Sequence, residues 1–300
     1  MENITLRLLS RAFLCLFLIS ALLVNTALAQ EPAKKHFLWS VKSTTNTVYL
    51  LGSLHVLGKD SYPLGDAYEK AFADSEIVVF EVDPGELEKP ETIQFILKKA
   101  ALEKGKTLED VISPEAYEQA KKELKEMGAD INMFTLTKPW FVALTATILK
   151  LSKMGFDPEY GVDGYFYEKA AKSGKEVRGL ETARYQIELI ASLGDESHDD
   201  VLLHTLKDLD VIEIELPNLV SSWQRGDLGQ FQDLIFRSYV DYPTVYQKLF
   251  VDRNNNWLPY IEGYLKEDKN YLVVVGAGHL VGNEGLVKLL TDKGYIVEQM

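Results

Sequence analysis

The chain has 300 residues, 46% of them hydrophobic, and carries 32 Lys and Arg against 45 Asp and Glu, a formal net charge of −13. So acidic a balance opposes polyanion binding, which excludes nucleic acid and anionic membrane surfaces as expected partners. The single cysteine, Cys15, allows no internal disulfide, so stability must come from an apolar core.

In chain order, Arg7 and Arg11 precede an apolar run from Ala12 to Val24, and Ala27-Leu28-Ala29 supplies a small-x-small cleavage pattern. This reads as a signal peptide over 1–29, with the mature chain starting near Gln30 and exported to the periplasm or secreted. Loss of Arg7, Arg11 and Glu2 takes the charge from −13 to −14 and removes Cys15. No later apolar stretch has transmembrane length, so no stable membrane insertion is expected after cleavage.

Residues 30–300 suffice for a single domain. Phe37 to Val41 and Thr47 to Leu51 read as a hairpin around Ser43-Thr44-Thr45-Asn46. A helix carrying Ala67, Tyr68, Ala71 and Phe72 follows, then a strand from Ile77 to Val82 stopped by Asp83-Pro84-Gly85. Together they predict a βαβ unit with a right-handed crossover. From Glu86 to Lys153 the pattern is helical, with Ser113-Pro114 as an N-cap and first-turn proline, and Pro139 opening a buried helix from Trp140 to Leu151. Gly161-Val162-Asp163-Gly164 leads into a helix ending at Gly174, and Glu176 to Leu180 is a strand. Residues 183–266 read as almost wholly helical, with breaks at Gly194, Pro217, Gly226 and Pro243. A strand ending at Gly276, a helix over Gly285 to Thr291 and a last strand over Tyr295 to Glu298 close the chain.

Two segments are written almost alike: Leu51-Gly52-Ser53-Leu54-His55-Val56-Leu57-Gly58 and Val275-Gly276-Ala277-Gly278-His279-Leu280-Val281-Gly282. Each places an imidazole just past an apolar strand, and in open α/β sheets ligands bind outside the carboxyl ends of the strands. The expected fold is therefore α/β (α+β), a central β-sheet built from two Gly-x-x-His-bearing strand-helix-strand halves. The core takes in about 36–85, 160–182 and 270–300, with large helical insertions at about 86–155 and 183–266.

Neutral imidazole is the commonest nitrogen ligand for transition metals, which makes His55 and His279 the first candidates. Glu81 ends an apolar strand, with Asp83 expected on the same face, and such an acid needs a metal or histidine partner unless it reaches solvent. Glu181 stands in the same relation to its strand and could equally favour a helix N-terminus. Asp163 reads as a helix cap rather than a catalyst. Arg253, followed by Asn254, could stabilise developing negative charge or make an ordinary salt bridge. His198 and His204, among Asp195, Glu196, Asp199 and Asp200, read as solvated surface. No His-Glu-x-x-His pair, Gly-x-Ser-x-Gly elbow or Walker loop is present.

Taken together, Gly52-Ser53-Leu54-His55, Phe80-Glu81-Val82-Asp83, Gly161-Val162-Asp163, Gly179-Leu180-Glu181-Thr182, Trp223-Gln224-Arg225-Gly226-Asp227, Arg253-Asn254 and the segment from Val275 to Gly282 resemble the TraB/GumN family. That family is related to the Tiki proteases and more distantly to the erythromycin esterase group. The resemblance implies metal-dependent proteolysis by two histidines and a glutamate, which map onto His55, His279 and Glu81. The leading expectation is thus a metal-dependent hydrolase acting on a peptide or small carbonyl-containing substrate. His55, Glu81 and His279 would hold a divalent manganese, cobalt or zinc ion, with Glu181 as general base and Arg253 meeting the oxyanion. The alternatives are a metal-free esterase-type hydrolase with histidine as general base, and a non-catalytic exported protein that binds a peptide or small signal.

Overall fold

A computed structural model describes residues 35–195, 198–237 and 239–300. The expected signal peptide lies outside these residues, as does the acidic surface expected around the side chain of His198.

The hairpin forms as expected: β1 (Leu38–Lys42) runs antiparallel to β2 (Thr47–Ser53), from Leu38 opposite Leu51 to Lys42 opposite Thr47. Its turn is closed by Ser43, whose hydroxyl oxygen accepts from the backbone N–H of Thr45 and Asn46, each at 3.1 Å. After α1 (Asp66–Asp74) the chain enters β3 (Ile77–Phe80). The first helical insertion holds α2 (Pro90–Ala100), α3 (Pro114–Glu126) and α4 (Pro139–Lys153). As predicted, the Ser113 side chain accepts from the Ala116 N–H and Pro114 occupies the first turn of α3. Helix α4 is largely apolar, and between Pro139 and Leu151 all but Thr145, Leu149 and Lys150 are buried.

Next come α5 (Val162–Ser173), ended by Gly174 at φ 67°, and β4 (Glu176–Gly179). The second insertion contains α6 (Ala183–Asp195), α7 (His198–Arg225), α8 (Leu228–Arg237) and α9 (Asp252–Tyr264). Helix α7 packs on α3, α4 and α8 and links the two insertions. The break expected at Pro217 does not occur, because α7 runs through it. A proline forfeits one backbone hydrogen bond, and burial of Leu209, Ile212, Leu216, Leu219 and Val220 on either side holds the helix together. The chain closes with β5 (Tyr271–Gly276), α10 (Leu286–Asp292) and β6 (Val297–Gln299), the last strand being shorter than expected.

These strands form one six-stranded sheet in the order β4-β3-β5-β2-β1-β6. β4, β3, β5 and β2 are mutually parallel, and β1 is antiparallel to both of its neighbours, β2 and β6. The mixed α/β fold with helical insertions is therefore as read from the sequence. The predicted βαβ unit needs one correction: β2 and β3 are not neighbours, because β5 inserts between them. The two histidine-bearing strands are thus adjacent at the centre, with Gly52 opposite Val275 and Ser53 opposite Gly276. From β2 the chain crosses toward β3, and from β5 it crosses the other way toward β6. The carboxyl ends of β2 and β5 are therefore a topological switch point, where a crevice opens in α/β sheets.

Candidate functional site

Four adjacent parallel strands each deliver a site residue just beyond their carboxyl ends: Glu181 after β4, Glu81 after β3, Gly276 at the end of β5, and His55 after β2. The ladder between β3 and β4 continues past the strands, with the Leu180 N–H donating to Phe80 O at 2.9 Å and the Glu181 N–H to Glu81 O at 2.8 Å. Parallel register thereby sets two carboxylates side by side. Such a pair repels unless a cation joins it.

That cation is Arg253, in the first turn of α9 and directly after a π-helical turn at Gln247–Val251. Nη2 donates to Glu81 Oε2 at 2.6 Å and to Glu181 Oε1 at 2.7 Å, and Nε donates to both Glu181 oxygens at 3.1 Å. Nη1 donates to Leu249 O at 3.2 Å and meets His279 Nε2 at 3.0 Å. A guanidinium has five N–H donors, and these contacts occupy all of them. Its face lies 4.4 Å from the Trp257 ring, whose Nε1–H donates to Glu181 Oε2 at 3.0 Å. An oxyanion could reach Arg253 only by displacing one of these partners.

Glu81 is further held by the Gly276 N–H at 2.7 Å on Oε1 and by Gln186 Nε2 at 3.3 Å on Oε2. Burial works to raise its pKa, but Arg253, the two histidines and the Gly276 N–H outweigh burial and hold it down at about 2. Glu181 goes the other way, with burial pushing its carboxyl up despite Arg253. Asp83, expected to share the face of Glu81, does not: the strand ends at Phe80, and the Asp83 carboxylate accepts from the Gly85 N–H at 2.9 Å to start a short helical turn.

The two imidazoles are held differently. His55 Nδ1 lies 2.8 Å from Asp163 Oδ2, and Ser53 Oγ donates to Asp163 Oδ1 at 2.7 Å. Asp163 reaches them because Gly161 lets α5 start against the His55 backbone; a Cβ on Gly161 would lie 2.4 Å from the His55 carbonyl oxygen. Burial lowers the His55 pKa, and the charge and hydrogen bond of Asp163 with the charge of Glu81 more than reverse this, so it stands above the ordinary value. His279 Nδ1 instead meets Asn254 Oδ1 at 2.7 Å, and its ring is packed between Phe250 and Trp257 at 5.0 and 4.5 Å. Burial and Arg253 take its pKa well below the usual value, with Glu81 opposing them. His55 is 4% exposed, Glu81 6%, and Arg253 and His279 0%.

All five expected site residues, His55, Glu81, Glu181, Arg253 and His279, are therefore drawn into one cluster through Asp163, Asn254, Gln186 and Trp257. Gly276 forms its floor. A Cβ there would stand 3.2 Å from both His55 Nε2 and Glu81 Oε1, closer than an ordinary side-chain contact, so the absence of a side chain lets the imidazole and the carboxylate close in over the Gly276 backbone.

Over residues 37–299 the sequence matches the profile of the TraB/PrgY/gumN family. The chain belongs to that family. It is similar to the uncharacterized protein YbaP of Escherichia coli (strain K12), 25% identical over 262 residues that cover 85% of this chain and 93% of the relative. YbaP of Shigella flexneri matches to the same extent. No solved structure matches the chain.

In this TraB/PrgY/gumN member, His55, Glu81 and His279 are the donors that a divalent ion would meet. Two imidazoles and a carboxylate suit such an ion chemically. The arrangement does not: Arg253 Nη1 already lies 3.0 Å from His279 Nε2, and the fixed charge of Arg253 lies against Glu81. Among the described residues no group of three or more His, Cys, Asp or Glu is disposed to hold a metal ion. Among the same residues no helix is long and apolar enough to cross a membrane.

Sequence reasoning passed over Gln186 and Trp257, treated Asp163 as a cap, and gave Asn254 no role of its own. Asp163 does lie in the first turn of α5, but its side chain turns to His55 rather than to the helix end. The signal that could have found it is the Gly161-Val162-Asp163 motif, a glycine for close approach followed by an acid.

Proposed function

We propose that this TraB/PrgY/gumN family member is an exported hydrolase of peptides or other carbonyl compounds, with His55 as general base toward a water held over Gly276. The observation that carries this reading is the convergence of His55 Nε2 and Glu81 Oε1 over the Gly276 backbone, each 3.2 Å from where a Cβ would stand, backed by Asp163 on the far nitrogen of the same ring. Asp163 accepts from Nδ1, so Nε2 presents its lone pair to the water. Glu81, kept ionised by Arg253, accepts the second water proton as a hydrogen bond. His55 removes a proton from the water as its oxygen bonds to the substrate carbonyl carbon. The imidazolium beside Asp163 then returns that proton to the leaving group as the scissile bond breaks. Glu181 and Arg253 act at one remove, holding Glu81 in place. Export is supported by Arg7 and Arg11, the apolar run after them and Ala27-Leu28-Ala29.

Turnover of a panel of unstructured peptides and p-nitrophenyl esters by wild type and by His55→Ala tests the proposal. Equal turnover by the two proteins would overturn it. The same preparations go to element analysis, where the expectation is no stoichiometric manganese, cobalt or zinc. Stoichiometric metal that disappears in both His55→Ala and His279→Ala would replace the metal-free mechanism with a metal-assisted one.

Gly276→Ala is a sharper probe of the water position. The residue has φ −50° and ψ 134°, which alanine adopts freely, so any effect comes from the methyl group between His55 and Glu81. Turnover should fall by about 10²-fold or more, since general-base catalysis contributes about 10²- to 10⁴-fold. The methyl would stand 3.2 Å from both side chains, so these must give slightly and a modest fall in melting temperature should accompany the loss of turnover. A variant that retains full activity would show that no water is used there.

A further inference from the structure

We propose that Asn254 is a positioning residue, which fixes His279 as the tautomer protonated at Nδ1 and thereby holds the guanidinium of Arg253 in its bridging orientation. The inference deepens the proposed use of the site, but its test does not depend on turnover.

The assignment follows from donors and acceptors alone. Asn254 Nδ2 donates to two backbone carbonyls, Glu284 O at 2.8 Å and His279 O at 3.3 Å. An amide reversed by 180° would face its oxygen to both carbonyls, so Oδ1 must be the atom 2.7 Å from His279 Nδ1. That oxygen carries no hydrogen, hence Nδ1 does. On the other side of the ring stands Arg253 Nη1, which can only donate, so Nε2 must accept. The two sides agree independently. If the proton sat on Nε2 instead, two N–H groups would oppose each other at 3.0 Å and Nη1 would keep only the carbonyl of Leu249. Arg253 would then lose one of the anchors that aim Nη2 at Glu81 and Glu181.

The matched turn at His55 shows what the choice of partner does. There a carboxylate meets Nδ1 and supports the imidazolium; at His279 an amide oxygen meets Nδ1, and the nearby carboxylate, Glu81 at 3.7 Å from Nε2, is shared with the guanidinium of Arg253. Two turns written almost alike thus acquire different proton chemistry from residues far away in sequence, Asp163 on α5 and Asn254 on α9.

The test is NMR of full-length protein labelled with ¹³C and ¹⁵N at histidine, at neutral pH. The chain has 5 histidines, and His279→Gln identifies the signals of interest. The expected wild-type result is a single neutral tautomer of His279 with a slowly exchanging proton on Nδ1. Protonation on Nε2, on both nitrogens, or a mixture of tautomers would overturn the proposal. Asn254→Ala should lose the slowly exchanging Nδ1 proton, and an unchanged signature in that variant would also overturn it. If Asn254→Ala does not fold, the wild-type spectrum still decides. Absence of hydrolysis would refute the function proposed above and leave this spectrum unaltered.

Discussion

Arg253→Met is expected to destabilise the protein by about 3–5 kcal/mol, the usual cost of removing one partner from a buried ionic cluster. The size follows from what remains. Glu81 and Glu181 each have side chains 7% exposed and sit side by side, with the guanidinium between them fully buried. Methionine approximates the volume but supplies no donor, so two adjacent carboxylates lose their shared cation. Arg253→Lys should rescue little, because an ammonium has three donors on one point charge and cannot span Glu81, Glu181, Leu249 and His279. The loss should depend on pH with a definite sign. Glu81 is depressed to about 2 in the folded protein from a usual 4.5, so its contribution is complete above 4.5 and disappears as pH falls toward 2. The stability gap between wild type and Arg253→Met should therefore narrow on acidification. Urea unfolding at several pH values measures this, and a variant as stable as wild type near neutral pH would refute the clamp.

His55→Ala is expected to lower turnover by about 10²- to 10⁴-fold, the range for loss of a general base. Asp163→Asn should be nearly as damaging and should also move the pH profile. Burial pulls the His55 pKa down, whereas Asp163, by charge and hydrogen bond, and Glu81 push it above 6.5. A base works when unprotonated, so the wild-type rate should rise with pH through a limb lying above 6.5. Removing the Asp163 charge leaves burial to act, so the limb should shift toward lower pH even as the plateau falls. The stability counterpart has the opposite sense: the His55 and Asp163 pairing contributes fully below 6.5 and is lost as pH rises through the raised folded value. A limb that stays in place in Asp163→Asn would show that Asp163 does not set the basicity of His55.

Proton control of this kind was only partly visible in the amino-acid order. The paired Gly-x-x-His turns announced themselves by repetition, and Glu81 and Glu181 by standing where an apolar run stops. Asp163 was legible as a residue but not as a partner, because first-turn acids commonly cap helices and only contact with His55 shows otherwise. Asp83 erred the other way: alternation put it beside Glu81, but the strand gave out at Phe80 and the chain turned. Pro217 looked like a break and was absorbed by packing on both sides.

By itself the sequence determined the local elements and the residues competent for chemistry, since side-chain period, caps and turn residues act within a few positions of one another. Only the tertiary structure decided that β5 slides between β2 and β3, which makes the two histidine turns neighbours and lines Glu181, Glu81, Gly276 and His55 along one sheet edge. It alone also gave Asp163 to one imidazole and Asn254 to the other. The reason is physical: strand order and the protonation of a buried ring are set by contacts between segments more than a hundred residues apart or by a helix packed across the site, and such contacts leave no periodic trace along the chain.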